Sequence, residues 1–419
     1  MEGPIITPQS DASALADLYR HLHQHPELSF QETATAAIVA QSLTALGYEV
    51  ATGIGRTGVV GILRRGEGPV VLLRADMDGL PVEEATGLPY ASTARGVDPD
   101  GADVGVMHAC GHDVHMTCLL GAAQQLAADP AWTGTLMVVG QPAEEVGSGA
   151  KAMITDGLYE RFGTPDIVLG QHVGPIPAGL IAIHPGPAYA ATDSLKVTLY
   201  GKGGHGSRPE ACIDPVVMAA ATVMRLQGIV SREIAGGDTA VVTVGVIRAG
   251  TKVNIIPDTA ELQINVRSYD PVVRETVLAA IHRIVRAEAT ASGAPREPDF
   301  EHTDAFPAVV NDPAASARTA EAMRIVFGAA GVMDPGPVTG SEDVGEFATA
   351  AGVPCVYWVL GGADPAAFAG VTDAVGMMRV MSGIPSNHSS LYAPVISPTL
   401  GAGVAALVTA ARAWLGPHT

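Results

Sequence analysis

The chain has 419 residues, too many for one ordinary hydrophobic core, and at about 150 residues per domain it is read as two domains. Lys and Arg number 24 against 43 Asp and Glu, a net charge of −19, which argues against nucleic acid and anionic membrane surfaces as partners because both need clustered basic side chains. Apolar residues at 47%, charged residues at 16% and 49 glycines exclude a disordered or fibrous chain and point to a compact, loop-rich globular one.

The segment Met1-Glu2-Gly3-Pro4 carries no basic region followed by an apolar one, and no run is read as reaching the roughly 20 apolar residues of a membrane helix, so the expected setting is the cytoplasm. Residues 11–25 place Leu15, Leu18 and Leu22 at helical spacing and stop before Pro26. A second amphipathic run extends from Gln31 to Leu46 and is closed by Gly47. Apolar runs of strand length follow at Val59–Leu63, Val70–Leu73, Leu136–Val139, Ile167–Leu169 and Val353–Leu360. Helical stretches near 113–128, 149–159 and 313–328 separate most of them.

Continuous apolar strands alternating with helices predict an α/β fold with a mostly parallel sheet and helices on both faces. Ligands in such folds gather at the carboxyl ends of the strands. Three runs end there in polar residues: Val70–Leu73 leads to Asp76 and Asp78, Leu136–Val139 to Glu144 and Glu145, and Ile167–Leu169 to His172.

Between about 190 and 305 the pattern changes. Leu195, Val197 and Leu199 alternate with polar residues, Asp214-Pro215 opens a helix to about Ser231, and a strand follows at 240–247. Leu262, Ile264 and Val266 then alternate, a helix spans about 272–289, and a last strand lies near 298–303. Strand, helix, two strands, helix, strand is the order of an α+β ferredoxin-like domain. The expected division is therefore a catalytic domain over 1–189, an inserted lid or dimerisation domain over 190–305, and the rest of the catalytic domain over 306–419.

Cys118, Cys212 and Cys355 are scattered and read as small buried hydrophobes, not as a disulfide framework. Cys110 differs, because Cys110-Gly111-His112 puts a thiol and an imidazole at metal-ligand spacing on a glycine-bent turn. With Glu145, His172 and His388, Cys110 and His112 make five ligands that suit a two-metal site, in which the thiolate could bridge ions about 3.5–4 Å apart. Taken singly, each reads first as an isolated residue satisfying a local hydrogen bond, and Glu144-Glu145 as a pair of solvated acids at a helix start. Side chains at i and i+1 point apart, so one of the two glutamates can bind metal while its neighbour faces the water.

Five segments in order carry a resemblance: His23-Gln24-His25-Pro26-Glu27-Leu28-Ser29-Phe30, Arg74-Ala75-Asp76-Met77-Asp78-Gly79-Leu80-Pro81, Met107 to Asp113, Glu144 to Ala150, and Gly203-Gly204-His205-Gly206. They resemble the M20 metallopeptidases, and more narrowly the amidohydrolase branch of hippurate hydrolases, N-acyl amino acid aminoacylases and auxin-conjugate hydrolases. The resemblance implies that Cys110, His112, Glu145, His172 and His388 hold two divalent ions per subunit, zinc or manganese with cobalt or nickel as further options. It makes Glu144 the general base, His205 an oxyanion stabiliser that acts in its own or a partner subunit, Asp78 the residue that orients the centre, and Asn254 and Arg267 substrate contacts. Asp113 is expected to orient a ligand imidazole, whereas His21, His23, His25, His108 and His115 are read as structural. Gly340-Ser341-Glu342-Asp343 resembles a further signature without a chemical role. Many M20 peptidases have His-x-Asp where this chain has Asp76-Met77-Asp78, and Cys110 stands where a bridging aspartate is usual. Glu210 occupies a position where close relatives often have histidine, which bears on acyl-group specificity.

The implied activity is hydrolysis of small N-acyl amino acids by a homodimer paired through the inserted domain. A dipeptidase, a carboxypeptidase or an N-acyl-diamino acid deacetylase is the alternative on the same scaffold. A metal-bound relative that only binds peptides is the non-enzyme alternative.

Overall fold

The computed structural model describes residues 3–417. Two compact units divide the chain: the first comprises the chain up to Ala188, Val310–Gly336 and the part from Asp343 onward, the second Tyr189–Val309 and Pro337–Glu342.

In spatial order the sheet of the first unit runs Glu49–Ile54, Gly58–Arg65, Trp132–Gln141, Val70–Asp76, Ile167–Pro177, Cys355–Ala363, Ile181–Ala182 and Val332–Met333. From Trp132–Gln141 to Cys355–Ala363 the four central strands are parallel, while Gly58–Arg65 and Ile181–Ala182 join them antiparallel. Val71, Leu72 and Leu73 are all fully buried, as continuous apolar strands covered on both faces must be. Leu119 and Leu126 of helix His112–Ala128 and Val404 and Leu407 of helix Ile396–Trp414 share one core cluster with these strands. Each such side chain contributes roughly 1.5–3 kcal/mol by leaving water.

The second unit is a four-stranded antiparallel sheet in the order Ala240–Ala249, Thr259–Ser268, Ala191–Tyr200, Asp299–Phe306, with helices Pro215–Arg232 and Pro271–Ala291 on it. Asp214 and Asp270 cap those helices through Val216 N and through Val272 N and Val273 N, each followed by proline at the first helical position. Leu195, Val197, Leu199, Leu262, Ile264 and Val266 form its core, so the alternation seen in the sequence is burial against the helices.

Three of the differences from the sequence reading lie in the first unit's longer elements. The helix expected over 149–159 is two, Gly149–Thr155 and Leu158–Phe162, because Gly157 takes φ 83 and breaks the ladder. Glu49–Ile54 adds an edge strand, its burial too irregular to read as alternation. Ile396–Trp414, at 19 residues and mean hydropathy 1.2, is long and apolar enough by length and composition to cross a membrane. Here it is a core helix, with Leu400, Val404 and Leu407 buried.

Candidate functional site

Four pieces of the first unit converge. The turn before helix His112–Ala128 carries Cys110 and His112, and Gly111 makes that turn with φ 87; a Cβ there would stand 2.4 Å from Val173 Cγ1. The loop after strand Trp132–Gln141 carries Glu144 and Glu145, strand Ile167–Pro177 carries His172, and the loop before helix Ile396–Trp414 carries His388, itself left-handed at φ 70.

The ligand atoms of Cys110, His112 and His172 lie within 4.8 Å of one another, and so do those of Cys110, Glu145 and His388. Cys110 Sγ is thus the shared corner of two triads. It stands 3.4 Å from His172 Nε2, and His388 Nε2 is 3.5 Å from Glu145 Oε2. His112 Nε2 lies 3.6 Å from Glu145 Oε1 and 3.8 Å from Glu144 Oε2. His112 Nε2 and Glu145 Oε1 are buried and neither makes a hydrogen bond, an arrangement that costs a few kcal/mol unless something charged satisfies both. Thiolate, imidazole and carboxylate are the donor set of zinc-like divalent ions, and a cation answers both unsatisfied atoms. The residues fit such ions.

The electrostatics agree. Burial would push the His112 imidazole down, but Asp76, Asp78 and Glu145 overcome it and hold the ring at about 10. Burial pushes the Glu145 carboxyl up; His112 opposes this and Asp78 and Asp76 add to it, leaving it near 8. A buried concentration of negative charge is what a cation would relieve.

Backbone carbonyls fix both imidazoles. His112 Nδ1 donates to Asp78 O at 2.9 Å and His172 Nδ1 to Val173 O at 2.8 Å, which leaves Nε2 of each ring as the ligating atom. Asn387 Nδ2 and Tyr392 Oη donate to the same Val173 carbonyl at 3.1 and 3.2 Å, and Asn387 Nδ2 also donates to Cys110 O at 3.0 Å. Val173 N in turn donates to His115 Nε2 at 2.8 Å, and His115 Nδ1 donates to Asp76 Oδ1 at 2.5 Å. Asp76, His112 and His115 also lie close enough to hold an ion. They are not read as a metal site, because both His115 nitrogens are engaged and Asp76 Oδ2 pairs with Arg74 at 2.7 Å.

Asp78 receives Glu144 N at 3.1 Å on Oδ1 and Glu145 N at 3.0 Å on Oδ2, along with Ser29 Oγ at 2.7 Å. It therefore holds the backbone of the two glutamates. Asp343 grips the far side of that loop, taking Ala150 N at 3.1 Å on one oxygen and Gln141 Nε2 at 2.6 Å and Arg74 Nη2 at 3.2 Å on the other. Between them the loop closes so tightly that a Cβ on Gly149 would stand 1.5 Å from Pro142 O.

Asp113 does not orient a ligand imidazole. Its Oδ2 meets His23 Nδ1 at 2.6 Å, and His23 Nε2 faces Glu84 at 3.1 Å, all with buried side chains. Adjacency to His112 misled, since the next residue of a helix points about 100° away. His108 is buried with both ring nitrogens unpaired, and burial pushes it down to about 4.

In the second unit His205 pairs with Ile255 across a two-residue ladder, and Gly206 N bonds Asn254 O at 2.8 Å, which brings His205 and Asn254 together. Ser207 N donates to His205 Nδ1 at 3.1 Å, so Nε2 carries the proton of the neutral ring. Arg267 is elsewhere. It lies eight residues along strand Thr259–Ser268 from Thr259, about 26 Å at strand rise, and its Nη1 binds Thr339 O at 2.7 Å and Ser341 Oγ at 3.2 Å. The Gly340 to Asp343 segment, given no role from sequence, thus supplies Ser341 to Arg267 and Asp343 to the glutamate loop. Sequence reasoning gave no role to Arg74, Asn387 or Asp343, although Arg74 and Asp343 stand in segments that carry the resemblance and Asn387 adjoins His388.

Residues 72–374, which include four of the five convergent ligands and both glutamates, match the family model of Peptidase family M20/M25/M40. The chain belongs to this family. Among M20 relatives, Thermostable carboxypeptidase 1 of Saccharolobus solfataricus is 39% identical over 353 residues, 83% of this chain and 85% of that protein. The hippurate hydrolase of Campylobacter jejuni is 40% identical over 332 residues, 78% of this chain and 83% of that protein. A solved dinuclear metal-binding M20 peptidase of Bacillus subtilis matches with a TM-score of 0.73 at 27% identity, covering 96% of this chain and 98% of that one. As an M20 member the chain is a metal-dependent amide hydrolase, and divalent metal is its cofactor.

Proposed function

We propose that this enzyme cleaves N-acyl amino acids into a carboxylic acid and an amino acid, using two divalent ions held by Cys110, His112, Glu145, His172 and His388. The observation that carries the reading is Cys110 at the shared corner of two ligand triads, with Glu144 Oε2 at 3.8 Å from His112 Nε2. When bound, the ions lower the pKa of water and polarise the amide carbonyl.

Glu144 is the general base. Its carboxylate takes a proton from the attacking water as the water oxygen bonds the carbonyl carbon, then passes that proton to the nitrogen as the carbon–nitrogen bond breaks. Asp78 keeps Glu144 in place by taking its amide N–H. His205, with Nε2–H as its free donor, is the oxyanion stabiliser, from its own or a partner subunit. Asn254, held beside His205, is a substrate contact. Arg267 is proposed to receive the free α-carboxylate with the guanidinium nitrogens that Thr339 and Ser341 leave open; standing a strand length from His205 and Asn254 in one chain, it meets the same small substrate as they do only when the two groups come from different subunits.

A homodimer through the second unit is supported by apolar side chains exposed along its edge strand and on the adjoining helix: Val241, Ile247, Val217 and Met224. Four free cysteines support a reducing, cytoplasmic setting.

The second reading is a carboxypeptidase or dipeptidase, favoured by the Saccharolobus relative. Hydrolysis of hippurate, N-acetylmethionine, indoleacetyl-alanine and plain dipeptides, with zinc, manganese, cobalt or nickel restored to chelated protein, separates the two. Preference for dipeptides by kcat/KM replaces the first reading with the second.

A further inference from the structure

Among the described residues, four that are not glycine have positive φ: Phe30 at 61°, Arg56 at 84°, Ala143 at 49° and His388 at 70°. His388 is a proposed ligand. The other three gather round one buried carboxylate, Phe30 and Ala143 through their own amides and Arg56 through the neighbouring Thr57. Glu32 Oε1 accepts from Phe30 N at 2.9 Å and from Ala143 N at 2.8 Å, and Oε2 accepts from Thr57 Oγ1 at 2.5 Å, the residue after Arg56. The Arg56 guanidinium lies over the Phe30 ring at 4.3 Å, which closes the group.

Glu32 stands at the start of helix Thr33–Ala45 but does not cap it. Glu27 does that instead, taking Ala34 N at 3.1 Å and Thr35 N at 2.8 Å. The Glu32 side chain is thus fully buried and spent on backbone and hydroxyl groups outside its own helix. A left-handed L-residue is sterically disfavoured and persists only where its surroundings hold it. Ala143 is such a residue, and it directly precedes Glu144 and Glu145.

We propose that Glu32 is a positioning residue for catalysis: by fixing Ala143 left-handed it sets the direction in which Glu144 and Glu145 leave the loop. Three consecutive amides are then held by two carboxylates, Ala143 N by Glu32 and Glu144 N and Glu145 N by Asp78. The proposal rests on the reading of Glu144 as general base. Burial and then Asp78 push the Glu32 carboxyl up to about 7, yet Oε1 accepts both amides with or without a proton on Oε2. Protonation is therefore not what the hold depends on.

Glutamine should replace Glu32 well, since its Oε1 can keep both amides while Nε2 donates to Thr57 Oγ1. Methionine fills similar space with no acceptor, and alanine removes the group. In metal-saturated, folded protein, Glu32→Met and Glu32→Ala should lower kcat about 10- to 100-fold with KM changed less than about threefold, and Glu32→Gln should stay within about threefold of wild type. Ala143→Gly in the Glu32→Ala background should recover part of the lost kcat, because glycine takes a positive φ without help. If Glu32→Ala does not fold, the Gln and Met pair decides. A purely structural Glu32 would lower the melting temperature and leave kcat per folded molecule unchanged in Glu32→Met, which would overturn the proposal; so would equal losses in Glu32→Gln and Glu32→Met. Glu144→Gln in the same assay keeps the two readings apart. Undiminished turnover in Glu144→Gln removes the base, whereas an inactive Glu144→Gln beside a fully active Glu32→Met removes only the role of Glu32.

Discussion

Glu145 Oε1 and His112 Nε2 face one another across 3.6 Å in the buried centre of the first unit, and neither makes a hydrogen bond. Removing metal from such a pair leaves both atoms unsatisfied among several carboxylates. Chelation should therefore lower the melting temperature, and divalent metal should restore it with the logarithm of its concentration over Kd. Cys110, 6% exposed, should resist alkylation in the metal-loaded protein and react after chelation. Equal alkylation rates in both states would remove Cys110 from the ligand set.

Glu144→Gln keeps the shape of the side chain and removes its ability to take a proton. Metal content by atomic absorption should match wild type, while kcat falls by roughly 10²–10⁴-fold. Loss of metal would mean that Glu144 ligates and does not act as base.

Asn387 joins Cys110 O, Val173 O and, at 3.9 Å, Cys110 Sγ. Asn387→Ala should weaken metal binding by about 10- to 100-fold in a competition titration with a chromogenic chelator. Wild-type affinity in this variant would show that the backbone alone holds the two loops together.

His23 sets a pH dependence of stability. Burial would lower its pKa, but Asp113 and then Glu84 raise it to about 10 in the folded protein. A raised folded pKa gives stability that is complete below the ordinary value near 6.5 and is lost as pH rises through 10. Urea unfolding between pH 6.5 and 10.5 should show a steeper fall for wild type than for His23→Gln. Parallel curves would mean that the ring is not charged between its two carboxylates.

The chemistry was more legible in the sequence than the frame that aims it. Apolar strands that stop at Asp78, Glu144 and Glu145 announce their ends, and Cys110-Gly111-His112 carries its own spacing. Glu32 and Asp343 had no such signal, because their partners Ala143 and Ala150 lie 111 and 193 residues away and nothing periodic links them. Asp113 looked useful through adjacency to His112, but the helix turns it toward His23. Arg267 likewise finds its partners Thr339 and Ser341 at 72 and 74 residues along the chain, with no local cue to link them.

The neck of the glutamate loop has one further consequence. With Pro142 O only 1.5 Å from where a Cβ on Gly149 would lie, the loop is shut by a clasp one hydrogen atom wide. Nothing can be threaded into the six residues between Pro142 and Gly149, or cut from them, without springing it open. In a library of variants position 149 should return glycine alone, while Val146, 38% exposed on the same loop, accepts wide replacement. The distance from base to ligand is in this way written as a residue count.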